Sequence, residues 1–146
     1  GRGPKGGRVL VQAFSPDHYA ILAALDHDYV RFAAAELPSR QAHLYPPFAS
    51  LIRLIFRGES EPATEQFAEA TGERLRAAIG AAEIENRVLG PAPCPIAKLR
   101  GLFRHHILVS SFHRDQLRAV VRSVIEKLSA PEGVQWVVDV DPQDLL

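Results

Sequence analysis

A short basic segment is the part of the sequence that most clearly suggests a binding function. It lies within GPAPCPIAKLRGLFRHH, residues 90–106, where three prolines within five residues are followed by Lys98, Arg100, Phe103 and Arg104. Cationic side chains neutralise phosphates, and an aromatic ring beside them can stack on an exposed base. The segment therefore predicts a contact with single-stranded nucleic acid, but Phe103 lies near the start of a strand and equally fits a core position.

A second basic cluster lies on a helix predicted from about His113 to Leu128. Arg114, Arg118 and Arg122 recur at i, i+4 and i+8, so they share one face of that helix. Arginine binds carboxylates and phosphates through two parallel hydrogen bonds. The stripe predicts an anion-binding surface about as strongly as it predicts an ordinary solvated face.

Residues with catalytic potential form no convincing group. His105 and His106 are adjacent in a predicted strand, so they point to opposite faces and cannot hold one metal ion together. Asp139 and Asp141 share a face and could hold a divalent cation, but Asp141 before a proline is more typical of a strand end, where Asp bonds the next backbone amides. A small metal-dependent enzyme built on His106, Asp139 and Asp141 is the least favoured hypothesis, and we expect no metal site.

Composition limits the class of protein. The chain has 146 residues, 47% of them hydrophobic, and seventeen Lys plus Arg balance seventeen Asp plus Glu. This length fits one main core, and the balanced charge means that any electrostatic footprint is local. Cys94 is the single cysteine, which excludes an internal disulfide and fits a buried filler in a reducing cytoplasm. No run approaches the ~20 apolar residues of a membrane span, so we expect a soluble protein without a membrane partner.

Hydrophobic periodicity predicts an α+β fold. Residues 50–146 read as a β-α-β-β-α-β series, the split βαβ arrangement, with an antiparallel sheet and two helices on one face. Its strands are predicted at 50–57, 86–89, 106–111 and 134–140. Its first helix should begin at a Ser60 cap and stop at Gly80. Residues 90–95 are predicted to be a stiff crossover that directs Lys98, Arg100 and Arg104 outward, with Cys94 as filler.

The N-terminal part is predicted to be different. Arg8 to Phe14 reads as a buried strand, and Ser15 before Pro16 as the cap of a short helix. A second helix should start at Asp28 and break or kink at Pro38. The predicted organisation is therefore 1–27, 28–49 as a helical connector, and 50–146. The start GRGPKGGRV, without methionine, leads us to expect an excerpt of a longer polypeptide.

An ordered set of motifs resembles the C-terminal region of the bacterial primosomal protein N′ (PriA) family of replication-restart DNA helicases. The motifs are Tyr45-Pro46-Pro47-Phe48, Leu89-Gly90-Pro91-Ala92-Pro93 continuing to Pro95-Ile96, Lys98-Leu99-Arg100-Gly101, Trp136, and Val138-Asp139-Val140-Asp141-Pro142. The likeness covers essentially the whole chain. It implies that residues 1–27 end the second helicase lobe and that residues 50–146 have the fold of a small ribosomal-subunit protein.

The resemblance also implies an activity for the parent protein. That protein would be an ATP-dependent 3′–5′ DNA helicase that recognises stalled forks and reloads the replication machinery. Its ATP-binding loop, magnesium-binding motif and zinc module would lie upstream, so we expect this chain alone to bind no cofactor and to be inactive. Arg2 would be the helicase-motif arginine that contacts ATP in the parent protein.

Partners follow from the same resemblance. We expect branched and single-stranded DNA at Lys98, Arg100, Phe103 and Arg104. The C-terminal tail of the single-stranded-DNA-binding protein is expected at Arg114 and Arg118, which match the start of the family's last helix. Other primosome proteins and a location in the cytoplasm, at the bacterial nucleoid, are also implied. The alternative is a purely structural domain that docks helicase lobes and binds no DNA itself.

Overall fold

The computed structural model describes residues 7, 9–143 and 145, and its contacts divide the chain into two units, Gly1–Ser39 and Arg40–Leu146. Helix α1 spans Tyr19–Leu25, and helix α2 spans Tyr29–Ala42. The Asp28 carboxylate accepts the Arg31 N–H at 2.9 Å and so satisfies a donor in the first turn of α2. The Tyr19 hydroxyl donates to the Glu36 carboxylate, which links α1 to α2.

Two predictions for this N-terminal part are wrong, and of the break or kink predicted at Pro38 the break is wrong. Val9–Phe14 forms no strand, and its large apolar side chains are exposed, because among the described residues it has no neighbouring strand with which to form a ladder. Arg8, like Arg2, lies outside the described residues. The cap of α1 is His18 and not Ser15, since the Ser15 carbonyl instead closes a turn with the His18 N–H at 3.1 Å. Helix α2 continues through Pro38 to Ala42.

The larger unit contains the predicted β-α-β-β-α-β series. The elements are β1 Ser50–Gly58, α3 Glu61–Ala81, β2 Arg87–Leu99, β3 Leu102–Ser111, α4 Arg114–Ile125 and β4 Val134–Val140. The four strands form one antiparallel sheet in the order β2-β3-β1-β4. The prediction of an α+β fold of the split βαβ type is therefore confirmed.

The core forms because apolar side chains recur at every second residue of the two central strands, β1 and β3. Ile52, Leu54 and Phe56 of β1 are buried on the same side of the sheet as Ile107 and Val109 of β3. Helices α3 and α4 supply the opposing side chains, which are Phe67, Ala68, Leu75, Ile79, Leu117, Val121 and Val124. Burying one large aliphatic or aromatic side chain contributes about 1.5–3 kcal/mol, so these two faces provide the main stabilisation of the unit.

Helix α3 begins as the sequence predicts and ends differently. The Ser60 side chain accepts the Ala63 N–H at 3.4 Å, with Pro62 in the first turn. Gly80 does not stop the helix, which runs to Ala81 with Ala82 as its C-cap. The stop needs no glycine here because Glu83 adopts a left-handed backbone with φ of 51°.

The proline-rich segment is a strand and not a crossover. Strand β2 runs thirteen residues to Leu99, so the prediction that it ends at Leu89 is wrong. It lies at the edge of the sheet, and its register with β3 shifts between Leu89 and Ala92 and between Pro93 and Lys98. Proline lacks an N–H donor, and an irregular edge strand is where a sheet can accept it.

Gly90 is the residue of β2 that the packing constrains most. Its φ is 93°, and a Cβ there would lie 2.6 Å from the carbonyl oxygen of His106. His106 is paired with both Ala92 and Ile55, so its carbonyl cannot move away without disturbing the sheet. The Arg76 guanidinium also donates to the Gly90 carbonyl, which ties α3 to this point.

We therefore expect Gly90→Ala to destabilise the chain by about 2–3 kcal/mol in urea unfolding, since it combines a backbone clash with left-handed strain. Gly80→Ala is the matched control. Gly80 lies within α3, where an added Cβ meets no atom within 4 Å. That variant should be more stable by about 0.5–1 kcal/mol. Equal stability of both variants would contradict this account of Gly90.

Candidate nucleic-acid and peptide interface

The four residues predicted to bind DNA lie together in the β2–β3 hairpin. Lys98 pairs with Phe103, and Leu99 pairs with Leu102, which leaves Arg100 and Gly101 as a two-residue turn. Both turn residues have positive φ, 51° and 85°, as a type I′ hairpin turn requires. The β2–β3 ladder therefore holds the basic tip in one conformation.

Phe103 belongs to the hairpin and not to the main core. The Lys98 ammonium lies 4.1 Å from the centre of its ring, a cation–π contact. The ring is only partly buried. A base could stack on the covered side of this ring only after Lys98 moved aside, and that ammonium would then be placed to meet a phosphate.

The three cations of the hairpin have no carboxylate partner among the described residues. The Arg104 guanidinium donates to the Ile96 carbonyl at 3.4 Å, a neutral partner. Lys98, Arg100 and Arg104 form no ion pair with any residue that the structure describes. Lys98 and Phe103 lie on the helix-covered side of the hairpin and Arg104 on the opposite side, so cations flank the tip from both sides. An anion at the tip would stabilise them.

The arginines of α4 are organised by Asp141. The Asp141 Oδ2 atom lies 3.1 Å from Arg118 Nη2 and 3.8 Å from Arg114 Nη2. Its Oδ1 atom accepts the Ser50 hydroxyl at 2.9 Å and the Leu51 N–H at 3.0 Å. One carboxylate thus joins the end of β4, the start of β1 and the first turns of α4.

The charge of Asp141 is stabilised where it lies. Partial burial acts to raise its pKa, but hydrogen bonds from the Leu51 N–H and the Ser50 hydroxyl, with the charges of Arg114 and Arg118, outweigh that effect. The pKa of Asp141 is therefore below its ordinary value. Asp141 stays ionised near neutral pH and shows how a carboxylate fits against this arginine pair.

Sequence reasoning missed this role of Asp141. The sequence predicts Asp141 at a strand end, bonding the next backbone amides; it does follow the last residue of β4, and its carboxylate accepts the Leu51 N–H of a neighbouring strand. Its own N–H donates to the Leu51 carbonyl at 2.7 Å, and its φ of 51° turns the chain away from the sheet. The pairing of β4 with β1 creates the contact, and no local spacing in the sequence indicates it.

The other residues considered for catalysis or metal binding are His105, His106 and Cys94, and their contacts lie within the fold. His105 lies opposite Phe56 on the helix-covered face and His106 opposite Ile55 on the other face, as the strand alternation predicts. Burial and the charges of Arg53, Arg104 and His105 lower the pKa of His106, so it is neutral near pH 7. Cys94 is buried and accepts a long contact of 3.8 Å from Arg53 Nη2. Among the described residues, no group of three or more His, Cys, Asp or Glu could hold a metal ion.

These observations define a class: a small α+β domain of the split βαβ type with basic groups at the rim of its sheet. Residues 41–143 match the family model described as "Primosomal protein N C-terminal domain", and the chain belongs to this family. The resemblance inferred from the motifs is therefore confirmed. None of the helices in the described ranges has the length and apolar character needed to cross a bilayer.

Related proteins show the same assignment. The "Replication restart protein PriA" of Treponema pallidum is 35% identical over 146 residues, covering 100% of this chain and 22% of the relative. The proteins of that name from Chlamydia pneumoniae and Bacillus subtilis are each 30% identical, over 97% and 86% of this chain and 19% and 15% of the relatives. The chain thus spans about a fifth of the length of these curated relatives.

The Asp141 contacts predict a pH-dependent stability. A lowered pKa in the folded state adds stability that is complete above the unfolded value, about 3.9, and is lost as the pH falls through the folded value. Asp141→Asn should therefore lower the free energy of unfolding by about 1–2 kcal/mol at pH 7, and the difference from the native chain should shrink below about pH 4.

Asp139→Asn is the control, since Asp139 lies on β4 two residues before Asp141 and is exposed. Urea unfolding followed by circular dichroism from pH 3 to pH 8 would measure both variants. A constant difference between Asp141→Asn and the native chain across that range would contradict the proposed electrostatic role.

Proposed function

We propose that this chain is the C-terminal part of an ATP-dependent 3′–5′ DNA helicase of replication restart. Within that protein it would contact branched and single-stranded DNA and dock the acidic tail of the single-stranded-DNA-binding protein. The names of the relatives support the replication-restart role. We assign ATP, magnesium and zinc to the rest of the parent protein, together with helicase activity, assembly with other primosome proteins and location in the cytoplasm at the nucleoid.

The single observation that carries the DNA role is the ordered hairpin, whose three cations form no ion pair with a carboxylate in the part of the chain that the structure describes. Each phosphate that such a cation neutralises releases condensed counterions, so binding weakens as salt rises. The ladder fixes the backbone of the hairpin before any ligand arrives, which reduces the entropy lost on binding. Phe103 adds an aromatic surface for an unpaired base once Lys98 has moved toward a phosphate.

We expect Lys98→Gln, Arg100→Asn and Arg104→Gln together to weaken single-stranded DNA binding and to reduce the salt slope by about 2. Asparagine at position 100 suits a left-handed turn residue, so the hairpin should persist. Fluorescence anisotropy with a labelled oligothymidylate at several salt concentrations measures both quantities. The control removes three exposed cations elsewhere, at Arg74, Arg122 and Lys127.

Two results would count against the hairpin. One is equal binding by the hairpin variant and the native chain. The other is an equal loss in the control, which would indicate a diffuse charge effect. Absence of any DNA binding by the native chain would favour the structural alternative.

The peptide role rests on the arginine pair of α4. Asp141 already holds a carboxylate against Arg118 at 3.1 Å, whereas Arg114 is further away at 3.8 Å. Two arginines share one carboxylate, so the trio keeps a net positive charge. Arg114 is the less engaged of the two and would be the first to bind an incoming carboxylate. Such a site suits a peptide that is acidic and ends in a carboxylate.

For this site we expect Arg114→Gln with Arg118→Gln to weaken binding of a labelled acidic tail peptide by about tenfold or more at low salt. Arg74→Gln with Lys127→Gln is the control with the same loss of charge, since both residues are exposed and lie outside the arginine stripe of α4. Because Arg118→Gln also removes a contact of Asp141, unfolding of each variant should be measured alongside. Unchanged peptide affinity in a folded double variant would exclude the site.

One observation favours the alternative function of docking helicase lobes. Val9, Leu10, Val11 and Phe14 expose large apolar side chains in the N-terminal unit. Exposed apolar groups of this kind mark surfaces that another protein surface covers. This role and DNA binding are compatible, because the apolar residues and the hairpin belong to different units of the chain.

A further inference from the structure

The sheet face opposite α3 and α4 has a second basic feature, centred on Arg57 of β1. In the sheet register Arg57 lies directly opposite Arg104 of β3 on one side and Gln135 of β4 on the other. Directly opposed residues share a face, with Cβ atoms about 4.5–5.5 Å apart. Like charges in that position destabilise a sheet. Two rows toward the start of β1 the charges are balanced, since Arg53 lies opposite Asp139.

Hydrogen bonds to neutral acceptors orient both arginines, and no carboxylate among the described residues forms an ion pair with either of them. Arg57 Nε donates to Gln135 Oε1 at 3.1 Å, which leaves the two Nη groups of Arg57 directed elsewhere. Arg104 Nη1 donates to the Ile96 carbonyl at 3.4 Å. Neither guanidinium forms an ion pair with a carboxylate in the described ranges 9–143 or at residues 7 and 145. Arg57 is exposed and Arg104 is partly exposed.

The surface beside this pair is apolar on β1 and β4, with His106 of β3 in the same row. The adjacent row across β1 and β4 consists of Ile55 and Val137, and Val137 is 45% exposed. A flexible polymer with regularly spaced phosphates could place a phosphate on the two guanidiniums and its sugar or base over these side chains. Arginine forks bind phosphate oxygens through paired hydrogen bonds, so one phosphate can bridge two of them.

We propose that Arg57 and Arg104 form a phosphate-binding pair that carries the DNA contact of the hairpin onto the exposed end of the sheet face opposite the helices, with Gln135 positioning Arg57. This inference rests on the proposed DNA role. Arg104 is common to both sets, and β1 lies about 4.8 Å beyond β3. The DNA strand would therefore pass from the hairpin tip across β3 to β1, and Arg57 would bind a phosphate beyond those reached by Lys98 and Arg100.

The test measures anisotropy of a labelled oligothymidylate at several salt concentrations. We expect Arg57→Gln to lower affinity about five- to tenfold at low salt and to reduce the salt slope by about 0.7, the value for one phosphate on a single strand. Arg57→Lys should keep the slope while losing part of the affinity, because lysine keeps the charge without the fork. Gln135→Ala should weaken binding about two- to threefold with an unchanged slope. Arg74→Gln is the control and should bind as the native chain does.

The outcomes separate this inference from the proposed function. If Arg57→Gln binds normally while Lys98→Gln with Arg100→Asn loses affinity, the phosphate pair is wrong and the hairpin role stands. If Arg57→Gln loses affinity while that hairpin variant binds normally, the pair is supported and the hairpin role fails. An equal loss in Arg57→Gln and Arg74→Gln overturns the pair. The pair is also overturned if Arg57→Gln weakens binding of a polyglutamate peptide but not of the oligothymidylate, because that result would indicate an acidic protein partner.

Discussion

The strict alternation of β1 is the constraint on which the rest of the structure depends. This strand lies between β3 and β4 and pairs with both. Its even-numbered residues Ile52, Leu54 and Phe56 enter the core beneath the helices. Its odd-numbered residues, including Arg57, must then occupy the opposite face. A slip of one residue in either ladder would exchange these two sets, so burial of the apolar set also fixes where the basic side chains lie.

Asp141 closes the same sheet at its other end. It forms side-chain and backbone hydrogen bonds to β1 and takes the charge of two arginines on α4. The contact spans ninety residues of sequence and fixes the end of the last strand. A carboxylate with several donors is stabilised in its ionised form, so the attachment is strongest when the arginines are also fully charged. Stability and the arrangement of a candidate binding site therefore depend on one side chain.

The sequence predicted the order of elements in the larger unit because each element satisfies local rules. Val134–Val140 alternates as a strand, and Ser60 before Pro62 begins a helix. The failures occur where pairing decides the outcome. Val9–Phe14 has the composition of a strand but no partner among the described residues, whereas the prolines of β2 look like a crossover but are accepted at an edge.

The same distinction between local rules and strand pairing applies to the candidate sites. Local composition indicated the hairpin cations and the arginines of α4, but only the register of β1 revealed Asp141 and Arg57. The roles of these site residues and the domain boundaries at residues 27 and 49 stay predictions.

The positions of the two candidate sites along β1 have a consequence for how ligands would bind. The hairpin residue Phe103 pairs with Gly58 at one end of this strand, and Asp141 bonds Ser50 and Leu51 at the other. Nine residues of strand at about 3.3 Å each place these ends roughly 26 Å apart. That separation exceeds the Debye length of about 8 Å at physiological salt, so anions at the two sites repel each other little. On the two proposals made above, a DNA strand at the hairpin and an acidic peptide at the arginine pair would therefore bind at the same time. The same sheet would then hold both ligands without making them compete.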